Sequence, residues 1–139
     1  MAGGEGPAIL WKELKGKQVR TNDGKDLGEI KDIAENYVRL EKGTVNKEKY
    51  WIPKYVADAY DGKVLWLLIS SDDVAKGYSY TSHPEREQYS RGLESFKTTR
   101  YGQKAVYLPD FDQKVRIAEE RAEGTEEAEG SYRNIRDLE

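Results

Sequence analysis

The chain contains no cysteine, one histidine (His83), one methionine and four prolines in 139 residues. Without thiols there is no disulfide, no thiolate nucleophile and no cysteine-ligated zinc; the pattern fits a reducing compartment, and the cytoplasm is the expected location. With a single imidazole, any triad, histidine metal site or proton relay would rest on His83, and acid–base work also requires a positioned partner. Long apolar runs are missing too: nothing approaches the ~20 residues of a membrane span, and Met1-Ala2-Gly3-Gly4-Glu5-Gly6-Pro7 lacks the basic region and apolar core of a signal peptide. Gly3-Gly4-Glu5-Gly6 has no strand before it and no Lys-Ser or Lys-Thr after it, so it is not a phosphate loop. Asp72-Asp73 and Asp110-Phe111-Asp112 lack the alternating oxygen ligands and closing glutamate of a calcium loop, and read as capping and surface charge. The expectation is a chain that is not an enzyme, with no catalytic residue, cofactor or metal.

What is present is unevenly distributed. Apolar residues make up 37% and charged residues 35%, and the apolar ones concentrate before residue 70. Residues 12–70 hold 12 basic and 10 acidic side chains, whereas residues 71–139 hold 11 basic and 15 acidic; with Glu5 the net charge of the chain is −3. Such a chain lacks the broad positive field of non-specific nucleic-acid binders. The acidic run from Glu119 to Glu129 repels itself if packed and reads as a solvated helix or a link. Three segments follow: a flexible lead-in over 1–13, a barrel over 14–77, and a helical or irregular extension with an acidic tail over 78–139.

The segment from Leu14 to Ile30 reads as strand, turn, strand. Asp23-Gly24 supplies the positive dihedrals of a two-residue hairpin turn, and Gly28 inside the second strand suits a bulge at a barrel corner. Strands are expected near Gln18–Thr21, Leu27–Ile33, Tyr37–Leu40, Tyr50–Ile52 and Tyr55–Tyr60, with Pro53 forcing an edge or corner. Asp61-Gly62 turns into Val64-Leu65-Trp66-Leu67-Leu68-Ile69, a strand apolar at every position that requires burial on both faces. Ser70 to Asp73 is a helix start that Gly77 ends, and Ser82-His83-Pro84-Glu85 matches a capping box ahead of Tyr89, Leu93 and Phe96 on one helical face. Lys104 to Leu108 reads as a strand or extended arm, and Val115 to Ala118 as the start of a last helix.

Leu14-Lys15-Gly16-Lys17-Gln18-Val19, Asp23-Gly24, Leu27-Gly28-Glu29-Ile30, Tyr50-Trp51-Ile52-Pro53 and Asp61-Gly62-Lys63-Val64-Leu65-Trp66-Leu67, in that order and spacing, resemble the PRC-barrel domains, over about Leu14 to Ser71. The resemblance implies a mainly β fold: a small, SH3-like antiparallel β-barrel, here with a partly helical C-terminal extension. It is nearest the stand-alone archaeal or bacterial type. Family members serve in photosynthetic reaction centres, ribosome maturation and archaeal cell division, and share no catalytic motif.

Tyr37, Tyr50, Trp51, Tyr55, Tyr60 and Trp66, with Arg39, Lys49 and Lys54 interleaved, form the set that reads a partner; the same residues also suit core and rim, and on a small barrel such a set stacks bases and tracks phosphates. The expected role is a protein-interaction or adaptor module in cell division or another assembly, with homodimerisation through a barrel edge or the final strand. The alternative is an RNA- or ribosome-maturation-associated accessory factor. Tyr78, Tyr80, Tyr89, Arg91, Arg100, Tyr101 and Tyr107 form a looser set in the extension, either a recognition arm or, through Leu93, Phe96, Val106 and Leu108, a cover for the Val64–Ile69 strand.

Overall fold

The computed structural model describes residues 7–43, 48–105, 107 and 110–118. The fold is mainly β. Strands β2 (Gln18–Arg20), β3 (Asp26–Ile33), β4 (Tyr37–Lys42), β5 (Glu48–Pro53), β6 (Ala57–Tyr60) and β7 (Val64–Leu67) form one six-stranded sheet in the order β5-β4-β3-β2-β7-β6. Its two outermost strands, β5 and β6, are consecutive in sequence and joined only by the one-turn Lys54–Val56 3-10 segment. A link that short forces the sheet to curl until its edges approach, although no ladder closes it.

The expected all-antiparallel arrangement needs one correction. β2 and β7 pair in parallel, Gln18 with Val64 through Arg20 with Trp66. The entire β3–β6 meander lies between them, which supplies the long crossover that a parallel pair requires. The Asp23-Gly24 turn also differs: only Gly24 has a positive φ, of 88°, and the connection is a wider loop in which the Thr21 N–H donates to the Lys25 carbonyl at 3.0 Å. Thr21 and Ser71 hydroxyls donate to Asp23, tying this loop to the start of the helical region. Gly28 is the expected bulge. The β2–β3 register slips there, its φ is +102°, and a Cβ would land on the Glu41 carbonyl of β4.

Residues 8–13, expected within the flexible lead-in, are structured. β1 (Ala8–Leu10) leads into a 3-10 turn over Trp11–Leu14, and Trp11 and Leu14 are buried. β1 pairs with β8 (Lys114–Arg116), so Val115 lies in a strand rather than a last helix. The helix start stands where expected: Ser70 caps α1 (Ser71–Asp73) in a capping box with Asp73, and the helical path continues through Val74–Tyr78, one residue past Gly77. By contrast α2 (Arg86–Lys97) starts after Glu85, which makes no side-chain cap, and not at Ser82. Pro84 disfavours helical geometry at His83, and the helix begins only beyond it. A short α3 (Arg100–Lys104), capped by Thr99, occupies the start of the expected arm; Val106, Leu108 and the acidic run Glu119–Glu129 lie outside the described residues.

β7 ends at Leu67, short of the expected Ile69, yet Leu65, Trp66, Leu67, Leu68 and Ile69 are each at most 2% exposed. One main core cluster joins Leu14 and sheet residues such as Ile30, Leu40 and Ile52 to Tyr89 and Phe96 of α2 and Val115 of β8. A second, smaller cluster sets Trp66 and Ala59 against Ala118. Ala118 thus packs on the Trp66 side of β7, while Tyr89 and Phe96 share the main cluster with Leu65 and Leu67.

Candidate protein-interaction surface

The β4–β5 ladder positions most of the aromatic and basic series. Its register pairs Tyr37 with Pro53, Arg39 with Trp51 and Glu41 with Lys49, and directly opposed residues share a face. The inner face carries Val38, Leu40 and Ile52, all buried. The outer face divides in two. At its Tyr37 end the rings of Tyr80, His83 and Tyr89 close in at centroid distances of 6.0, 5.3 and 5.5 Å. At the other end Arg39, Glu41, Lys49 and a half-exposed Trp51 meet solvent. His83 stands at the boundary, its ring 4.8 Å from that of Trp51. Tyr80 exchanges both backbone hydrogen bonds with Trp51, at 2.7 and 3.0 Å, which covers the β5 edge at that residue.

The solvent end is electrostatically balanced. The Arg39 guanidinium sits 2.6 Å from a Glu41 carboxylate oxygen and 3.8 Å from one of Asp32. Tyr50 is half-buried on the inner side, its hydroxyl donating to the Leu27 carbonyl at 2.8 Å, and burial raises its pKa.

Five of the nine expected partner-reading residues belong to the interior: Tyr37, Lys54, Tyr55, Tyr60 and Trp66 are 1–6% exposed. The Trp66 indole N–H donates to Asp61 at 2.8 Å and the Tyr60 hydroxyl to the Gly62 carbonyl at 2.9 Å, so both polar tips are satisfied inside. Tyr55 packs on Tyr89 and Phe96, with centroids 5.3 and 5.2 Å away. Its hydroxyl occupies the place a side chain at position 92 would take, which is why α2 carries Gly92 there. Burial raises the pKa of Tyr55 and Tyr89 and pushes that of Tyr37 up to about 12. A small sheet needs these bulky side chains as core.

Lys54 is the member whose role the sequence concealed. Only 4% exposed, its ammonium donates to the Glu35 carbonyl at 2.9 Å and the Asp112 carbonyl at 2.6 Å, and it lies 5.4 Å from the centre of the Trp11 ring. Burial lowers its pKa to about 8, against the opposing attraction of Asp112 and Glu35. It ties the β3–β4 turn, the N-terminal turn and the turn before β8 to one point.

In the extension, Tyr78 and Tyr89 join the aromatic cluster, and Tyr80 packs edge-on to Tyr37. Arg91 and Arg100 are exposed, Arg100 lying over its neighbour Tyr101 and Lys97 over Tyr107. The structure thus brings together Arg39, Lys49, Trp51 and, added from the extension, His83. His83 had no signal beyond its position before Pro84.

The site thus sits on a small, mainly β domain: a curled sheet of short strands with a glycine bulge, covered in part by an aromatic cluster. The family model of the PRC-barrel domain matches residues 7–66, from the residue before β1 to Trp66 in β7. The match begins upstream of Leu14 and so includes β1 and the buried Trp11. No curated protein and no solved structure matches the chain. Among the described residues no helix is long and apolar enough to cross a membrane.

Proposed function

We propose that this chain is a non-catalytic protein-interaction module, acting in the cytoplasm as an adaptor in a macromolecular assembly such as the division machinery. The observation that carries the reading is the PRC-barrel match over residues 7–66, a domain that commonly mediates protein interactions. The geometry agrees with it. Trp51 is a half-exposed aromatic, backed by His83 and rimmed by Arg39, Glu41 and Lys49, the composition of an anchor with a polar border. Arg39 spends its charge on Glu41 and Asp32, and Lys54 is buried, so two of the three cations in the series are not offered to a phosphate backbone. β7 pairs on both sides, with β2 and β6, and offers no edge to a second copy.

The full-length chain used as bait in nuclease-treated native extract is expected to retain protein partners, and a Trp51→Ala bait to lose them while keeping its circular dichroism spectrum and a stability within about 1 kcal/mol of the parent. Partners that vanish on nuclease treatment, ribosomal proteins above all, would instead establish the RNA-associated role.

A further inference from the structure

Among the described residues β1 is an open edge beside an apolar groove. The Trp11 N–H donates to the Gln113 carbonyl and the Ile117 N–H to the Pro7 carbonyl, both at 2.9 Å, with Ile9 opposite Val115 between them. Antiparallel ladders alternate hydrogen-bonded and non-bonded pairs, so Ala8 and Leu10 direct their N–H groups away from β8. Among the described residues neither N–H finds an acceptor. Leu10 is also the large hydrophobic residue left exposed, at 38%. Next to it lies a groove of about 270 Å³ walled by Leu10, Trp11 and Ile33, with Lys12, Lys54, Asp112 and Gln113 completing the lining.

We propose that this edge receives an extended segment of a partner protein in which apolar and acidic residues alternate, added as a strand antiparallel or parallel to β1. The inference rests on the protein-interaction reading above and specifies the partner's chemistry. The unpaired N–H groups supply main-chain bonding, and the groove takes the side chains on one face of the added strand. Charge selects the polar positions of the segment: Lys12 lies at the groove wall and Lys114 stands directly across from Leu10 on β8, against one lining carboxylate, Asp112. A second copy of the chain fits less well. A three-residue strand falls far short of the ~800 Å² per partner of a stable dimer.

The test uses full-length, isotope-labelled protein and two synthetic hexapeptides, one alternating glutamate with valine and one alternating lysine with valine. The glutamate peptide is expected to shift the Ala8 and Leu10 amide resonances and slow their exchange with solvent, and the lysine peptide to bind about tenfold more weakly or less. Leu10 has φ −72° and ψ 140°, a geometry proline adopts, so Leu10→Pro removes the outward N–H without touching the β8 pairing and is expected to abolish binding. Leu10→Glu, which keeps the N–H, is expected to repel the glutamate peptide alone. Unchanged Ala8 and Leu10 amides, equal binding of the two peptides, or full binding by Leu10→Pro would each overturn the proposal. A concentration-dependent dimer dissolved by Leu10→Pro would assign the edge to a second copy. Partners captured through Trp51 in the absence of any peptide effect would leave the broader reading standing and remove only this one.

Discussion

The residues before Ser70 and those after it are built on different terms. The first region folds on itself: alternation along β3–β5 and the apolar run of β7 give it an interior, with Leu14, Val19, Ile30, Val38, Leu40 and Leu65 fully buried. In the second region the buried side chains are few, chiefly Val74, Tyr89, Phe96, Val115 and Ala118, and every one of them packs in a cluster shared with the sheet. Among the described residues the extension shows no core of its own. Those residues pack on the sheet as cover.

The most severe way to break that comparison is to end the chain at Gly77. If the extension is cover, the truncated protein exposes Tyr37, Tyr55 and Trp66 and aggregates or loses its cooperative thermal transition; a soluble, cooperatively folding 1–77 fragment would make the extension a separate arm. A single substitution asks the same question more gently. Phe96 is fully buried against Tyr55 and Tyr78, so Phe96→Ala is expected to cost about 3–5 kcal/mol in urea unfolding, the range for truncating a buried aromatic. A loss below about 1 kcal/mol, typical of surface changes, would separate α2 from the core.

The two regions also differed in legibility. In the first, Gly28, the apolar run of β7 and the Asp61-Gly62 turn each left a local chemical signature, and each stands where its signature placed it. What was not legible there was long-range: the parallel β2–β7 pairing depends on how the sheet curls, and Arg20 or Trp66 carries no mark of its partner strand. In the second region the i, i+4, i+7 spacing of Tyr89, Leu93 and Phe96 located a helix, but its start was misplaced because Ser82 and Glu85 match a capping box that Pro84 and the seating of His83 on Trp51 override. For the candidate site, alternation along β5 separated Trp51 from Ile52, whereas no pattern showed that Lys54 is buried, since its hydrogen-bond acceptors are carbonyls of residues far away in sequence.

Within the sheet, two glycines sharpen what its first region demands. Gly28 and Gly62 have nearly equal dihedrals, φ +102° and +100°, yet a Cβ at 28 meets the backbone of β4 and one at 62 meets nothing within 4 Å. Gly62→Ala therefore measures the left-handed penalty alone, about 1–2 kcal/mol, and Gly28→Ala is expected to exceed it by a further ~1–3 kcal/mol as β4 is pushed away. Equal losses in chemical denaturation would show that the bulge does not hold β3 against β4.

The smallest effect is the one that joins the two regions. Lys54 bonds the Asp112 carbonyl from the extension and the Glu35 carbonyl from the sheet, and burial lowers its pKa to about 8 from an ordinary 10.5. Between those values the unfolded chain binds more protons than the folded one, so stability rises with pH from 8 upward and this gain is lost again as pH falls through 8. Tyr37 and Tyr107 act oppositely. Their pKa values, pushed up by burial from 10 to about 12, give stability that is complete below pH 10 and lost toward 12. Urea midpoints measured every half unit from pH 7 to 11 should climb from pH 8, pass a maximum near pH 10 and then fall. Lys54→Met should remove the climb and leave the fall. A Lys54→Met profile that still climbs would place the titrating group elsewhere, and with it the clamp between sheet and extension.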